Sequence, residues 1–201
     1  LLVDPPGWNF LDWTKDWEKT GWAPPNGVPG NGPDACLNLL YLQAMERTVD
    51  LAQAVGKLEL AAVWADRARR LAAAIRAAFW DETRGMIADT PRKTSFSEHA
   101  VALSIVTACL PSAMRERSFA ALTTAPDLAR ASYMLHLVFA AYFRYGRGDL
   151  FLKKLDLWRG YVGLGLRCPL ESPVFPRSDC HAFASTPLYH FHAGLAGVSP
   201  A

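Results

Sequence analysis

A single carboxylate in this sequence is placed as a general base for hydrolysis would be. Glu171 lies in a Pro-bounded loop, Arg167-Cys168-Pro169-Leu170-Glu171-Ser172-Pro173, that leads into Arg177-Ser178-Asp179-Cys180-His181. A carboxylate held there can take a proton from water; a solvated loop acid is the competing reading. His181 falls in the expected first turn of a helix, whose N-terminus disfavours protonation of the ring. A neutral imidazole there either hydrogen-bonds a sugar hydroxyl or is buried and satisfied, and His99 carries the same two readings. Asp12 and Trp13 join a carboxylate to an indole, which suits a sugar: the ring covers its C–H face and the acid takes its hydroxyls. Loop packing is the alternative for Trp13. Arg177 and Asp179 are candidates for the same ligand, or for a staple between themselves.

Other chemistries lack their residues. No serine-nucleophile elbow, phosphate loop, dinucleotide fingerprint or HExxH motif occurs, which removes many cofactor enzymes. His190 and His192, two apart on a helix, face different ways and make no metal pair. Cys36, Cys109, Cys168 and Cys180 contain no CxxC spacing, so structural zinc is not expected. They read as reduced thiols, mostly buried, although Cys168 and Cys180 flank one loop and could bridge. No cofactor or metal is expected.

The elements that must position these residues are helical. The chain has 201 residues, 51% hydrophobic, with mean hydropathy +0.04, enough for a packed core in a globular protein. Net charge is +2 without a basic run; Arg67, Arg69, Arg70 and Arg76 read as a solvated helix face, so nucleic acid is not an expected partner. No apolar stretch approaches the roughly 20 residues that span a bilayer, so no membrane is expected either. Leu1-Leu2-Val3-Asp4 resembles no leader peptide, and the sequence reads as beginning inside a longer polypeptide, which leaves its compartment open.

Residues 1–33 are punctuated by Pro and Gly and hold Trp8, Trp13, Trp17 and Trp22, four of the seven tryptophans. So much indole must dock on a core or line a pocket. Residues 34–201 predict helices near 34–55, 57–80, 97–110, 112–123, 127–145, 149–161 and 179–194, with a turn-rich loop at 81–94 and another at 164–179. Strand periodicity is nearly absent. Helices near 36–55, 95–110, 127–145 and 180–194 are apolar nearly all round; those between carry charge on one side. This alternation predicts inner and outer helices of hairpins laid side by side. Uneven loops bearing Trp, His and carboxylates favour a closed toroid over an open solenoid. The expected architecture is all-α, an incomplete (α/α)6 toroid of three to four hairpins in a single partial domain.

Three segments resemble the helical-barrel domain of glycoside hydrolase family 78, the α-L-rhamnosidases and their bacterial relatives. Trp8-Asn9-Phe10-Leu11-Asp12-Trp13 is similar to the family's aromatic-x-Asp-Trp motif. Ser97-Glu98-His99-Ala100-Val101-Ala102-Leu103 follows Phe79-Trp80-Asp81 and Gly85-Met86-Ile87-Ala88-Asp89. Arg177-Ser178-Asp179-Cys180-His181-Ala182-Phe183, followed by Pro187-Leu188-Tyr189, is the most specific. Together they span almost the whole chain in the family's order. Phe183 stands where these relatives usually have Trp, and Glu98 where Gln is common.

The resemblance implies an inverting glycosidase with two separated carboxylates. Glu171 would be the general base, and His181 and Trp13 would contact rhamnose. The general acid would belong to an acidic motif upstream of Leu1, so this stretch alone would turn over little substrate, and the missing N-terminal half of the toroid would be its partner. The alternatives are another toroid glycosidase acting on glucosides, fucosides or uronic-acid sugars, and a non-catalytic helical module binding glycan or protein.

Overall fold

The computed structural model describes residues 1–28, 30–132, 134–172 and 178–198. The helices are α1 Ala35–Ala54, α2 Leu58–Phe79, α3 Glu98–Val106, α4 Ser112–Thr124, α5 Leu135–Arg144, α6 Gly148–Lys154, α7 Asp156–Gly163 and α8 Thr186–His190. Short 3-10 helices cover Lys15–Thr20 and Ala182–Ser185, and a wider turn, Phe191–Leu195, continues α8.

Local chemistry explains where helices start. Asp34 caps α1, its side chain accepting from the Leu37 N–H at 3.1 Å, and Ser97 caps α3 through the Ala100 N–H at 3.2 Å. Gly56, at φ +72°, turns the chain between α1 and α2 in a conformation that a side chain would strain. α3 is buried on every side from Glu98 to Ile105, as an inner helix must be. α2 buries only one face, Ala61, Ala68, Leu71, Ala72, Ile75 and Phe79; Leu58, at its first position, is exposed.

Several boundaries differ from expectation, each for a reason visible in the backbone. The helix expected from 127 starts at Leu135, because Ala129 gives its N–H to Phe96 O and takes the Glu98 N–H, both within 3.0 Å. Those groups are therefore unavailable to a helix. α3 stops at Val106, where the Thr107 hydroxyl donates back to Leu103 O at 2.8 Å. The helix expected over 149–161 is two, meeting at Leu155. The last is broken into the 3-10 turn, α8 and the wider turn, with Pro187 tolerated in the first turn of α8. Within the turn-rich loop, β1 Trp80–Asp81 and β2 Met86–Ile87 pair antiparallel, an element the sequence did not announce.

The hairpins α1/α2, α3/α4 and α5/α6 lie in sequence, and α1, α3, α5 and α8 pack in succession as an inner layer. All four inner helices start at the same end. Cys36 at the head of α1 sits 3.9 Å from Ser97 at the head of α3. The Glu98 N–H bonds the segment that enters α5. His136 in the first turn of α5 touches Tyr189, while Gly194, further along the chain, approaches Phe143 at the far end of α5. The connections at the opposite end are short, 55–57, 107–111 and 145–147. The long ones, 80–97, 125–134 and 164–181, gather at the heads of the inner helices. One apolar cluster runs from Leu11 and Trp17 through these helices to Phe151 and Leu155.

Candidate active site

The end carrying the long loops, here the mouth, holds every candidate named above that falls among the described residues. Residues 1–33 enter it as a chain of aromatic contacts: Trp8 to Phe10 at 5.1 Å, Phe10 to Trp13 at 4.9 Å and Trp13 to Trp22 at 4.8 Å between ring centres. Trp22 has φ +59°, a costly conformation for an indole residue. Its carbonyl accepts from Leu11 N and its N–H reaches Trp17 O. Trp8 remains 64% exposed with its indole N–H fixed to Gly21 O at 2.8 Å.

Asp12 is fully enclosed and ties this segment to two other elements. One oxygen accepts from the Trp13 N–H at 2.7 Å. The other faces His99 Nε2 at 2.7 Å and accepts from the N–H groups of Ser132 at 2.8 Å and Met134 at 3.4 Å. That ligand set requires His99 to carry its proton on Nε2 when Asp12 is ionised. The His99 ring is also fully enclosed and lies 4.6 Å from buried Trp17. Its Nδ1 has no hydrogen-bond partner among the described residues. Asp12, expected at a sugar, and His99, read as either a sugar contact or a buried, satisfied ring, are thus each other's partners behind the mouth surface.

Glu171 and His181 share the other half of the mouth. The Glu171 N–H donates to Ser178 O and the His181 N–H to Pro169 O, both at 3.0 Å, so the strands flanking the loop run antiparallel. Both side chains are half-buried, and Asp179 is exposed. Arg177 lies outside the described residues, and so does its expected pairing with Asp179. The approach to α5 and its first turn link the two halves: the N–H groups of Ser132 and Met134 hold Asp12, and His136 meets Tyr189 and His190.

Three charged arrangements escaped the sequence. Glu98 is fully buried, one oxygen taking Arg130 at 2.8 Å and Lys154 at 2.7 Å, the other the Ala131 N–H at 2.9 Å. Burial works against its charge, but Lys154, Arg130 and the Ala131 N–H together hold its carboxyl below the usual range. Asp34 is pushed up to about 7 by burial, with the Leu37 N–H opposing and Asp89 adding to the rise. Asp89 is also raised by burial, against hydrogen bonds from the Ser95 and Ser97 hydroxyls at 2.6 Å each. Third, His190 Nε2 lies 3.1 Å from His136 Nδ1. Burial and then His136 lower His190 to about 4. Only Asp34 had a local signal, as a cap; the partners of Glu98 and His190 lie 32 to 56 residues away.

The family described as the bacterial alpha-L-rhamnosidase six-hairpin glycosidase domain matches residues 2–134. Two solved structures are similar. A glycoside hydrolase family 78 rhamnosidase of Bacillus sp. GL1 superposes with TM-score 0.74 at 24% identity, over 93% of this chain and 21% of that one. A rhamnosidase from Klebsiella oxytoca with rhamnose bound gives 0.68 at 19% identity, over 97% and 39%. At these identities the likeness speaks for the fold, and the chain spans well under half of either protein. No curated protein matches.

Proposed function

Because this chain belongs to the bacterial α-L-rhamnosidase six-hairpin glycosidase family, we propose that the complete domain hydrolyses terminal α-L-rhamnosyl bonds with inversion, Glu171 serving as general base. The observation that carries this reading is the contrast among acids at the mouth. Asp12, Asp34, Asp89 and Glu98 are buried and held by hydrogen bonds, whereas Glu171 is half-buried in a segment tied by backbone bonds from Glu171 to Ser178 and from His181 to Pro169. That the Klebsiella oxytoca relative was solved with rhamnose bound favours a deoxy sugar as the occupant.

In this mechanism Glu171 takes a proton from water as the water attacks the anomeric carbon, while a second carboxylate, supplied upstream of Leu1, protonates the leaving oxygen. Inversion requires the two about 6.5–9.5 Å apart, leaving room for that water. Trp13 lies against the ring and His181 meets its hydroxyls, with Arg177 and Asp179 on the same loop. Asp12 and His99 act from behind, as positioning residues for Trp13.

The test is hydrolysis of an aryl α-L-rhamnoside by the complete domain. In Glu171→Gln, kcat falls by about 10²–10⁴-fold, with the fold intact by circular dichroism, and the wild type's first product is the inverted anomer by NMR. Equal rates in wild type and variant remove Glu171 from the chemistry. A retained anomer rejects inversion, and an inactive wild type that still binds glycan turns the reading toward a binding role.

A further inference from the structure

An asparagine followed by glycine is prone to lose its side-chain amide, because glycine puts no side chain in the way of its own nitrogen closing on the asparagine. The sequence holds two such pairs, Asn26-Gly27 and Asn31-Gly32, and the fold treats them oppositely. Asn26 is half-buried and its Nδ2 donates to Pro33 O at 3.1 Å. Gly27 is buried, its N–H is held by Pro24 O at 2.7 Å, and packing is so close that a Cβ there would meet Pro24 at 2.9 Å. Asn9 and Asn38 are bound in the same way, the first giving its Nδ2 to Pro5 O and Gly27 O, the second to Leu2 O and Asp34 O. Asn31 is the exception. It is exposed, its backbone N–H reaches Val28 O at 3.2 Å, and its side chain makes no hydrogen bond among the described residues. Gly32 stands at φ +87°, and its N–H donates to the exposed Asp4 carboxylate at 3.0 Å.

We infer that Asn31-Gly32 is a modification site, converting to aspartate and isoaspartate with water as co-reactant, at a pace that Asp4 sets. Solvent hydroxide takes the Gly32 N–H proton, and the nitrogen bonds to Asn31 Cγ while the side-chain nitrogen leaves as ammonia. The product is a five-membered succinimide. Water then opens it. Breaking the bond from the Gly32 nitrogen to Cγ gives aspartate; breaking the bond from that nitrogen to the Asn31 carbonyl carbon gives isoaspartate, whose chain runs through Cγ. The balance is one asparagine and one water giving one acid and one ammonia. Asp4 delays the first step, because its carboxylate holds the proton that must leave and repels hydroxide. The new carboxylate, one residue from the N–H that Asp4 holds, sets like charges side by side and works against that bond. The site stands independently of the sugar at the mouth.

The test incubates the 201-residue chain in mildly alkaline buffer, native and in urea, followed by peptide mapping with fragmentation that separates residue 26 from residue 31. In urea both asparagines convert. In the native chain only Asn31 does, giving aspartate and isoaspartate products, and the converted form exchanges its Gly32 amide faster. Asp4→Ala speeds conversion at 31 several-fold and leaves 26 intact, which also reports that the variant is folded. Asp4→Asn, which keeps an acceptor oxygen without the charge, falls between. Native conversion at 26 that matches 31 overturns the inference, as does an Asn31 that stays intact while the urea sample converts. A rate at 31 unmoved in Asp4→Ala, or Gly32 exchange unchanged in the converted form, overturns the part given to Asp4.

Discussion

At the residue scale, Asp12 decides how the aromatic segment sits. Among the described residues, its two oxygens gather four nitrogens from three places in the chain. Asp12→Ala would leave the His99 ring and the backbone N–H groups of Ser132 and Met134 without their acceptor, a loss of about 3–5 kcal/mol. The expected outcome is a melting temperature lower by on the order of 10 °C, with Asp12→Asn between the variant and wild type because one amide oxygen still accepts. A melting temperature unchanged in Asp12→Ala would deny the clamp. The sequence marked Asp12 for a sugar and left His99 between a sugar contact and a buried, satisfied ring. Nothing in local spacing shows that residue 12 and residue 99 are neighbours, and only their enclosure separates a positioning acid from a ligand-binding one.

At the element scale, pH acts on two helices with opposite sign. Asp34, the cap of α1, is raised in the folded state to about 7 from 3.8, so the folded form binds more protons than the unfolded one. Its contribution to stability is therefore greatest below pH 3.8 and declines as pH rises toward 7. His190, packed by α8 against α5, is lowered to about 4 from 6.5, so the unfolded form binds more protons in that window. Its contribution is intact above 6.5 and is lost as pH falls to 4. Asp34→Asn keeps a capping oxygen. Relative to wild type, this variant should gain stability as pH rises from 4 to 7, by a few kcal/mol at most. His190→Gln should lose the steepening of the acid limb below 6.5. Denaturant titrations at fixed pH values measure both slopes, and parallel curves for variant and wild type would refute either assignment. Element starts were readable here because caps are local: Asp34 and Ser97 announce α1 and α3. Ends and breaks were not, since the late start of α5 depends on Ala129 finding Phe96 and Glu98.

At the scale of the whole molecule, helical alternation was enough to foretell inner and outer layers, because α3 buries every side and α2 only one. The charges that weld the layers were not foretold, since Glu98 draws Arg130 and Lys154 from two other elements. Val162, Leu164, Leu188 and Leu195 present apolar side chains to solvent, from 45% to 77% exposed, on the last helices of the inner and outer layers. Such a surface favours association. The isolated chain should therefore sediment as a concentration-dependent mixture, and the double variant Val162→Lys, Leu188→Lys should shift it toward monomer. A wild type that stays monomeric across the range would show that this surface does not drive association.

The Asp12 clamp also imposes an order of events during synthesis. Residue 12 leaves the ribosome before its partners, and the Ser132 amide that it holds follows 120 residues later. At roughly 5–20 residues per second, that interval is on the order of 6–24 s. Trp8, Trp13, Trp17 and Trp22 lack His99 for the first 87 of those residues and the approach to α5 for all of them. The aromatic segment thus settles only after residues far behind it have been made, and its indoles stay open to a nascent-chain chaperone until then.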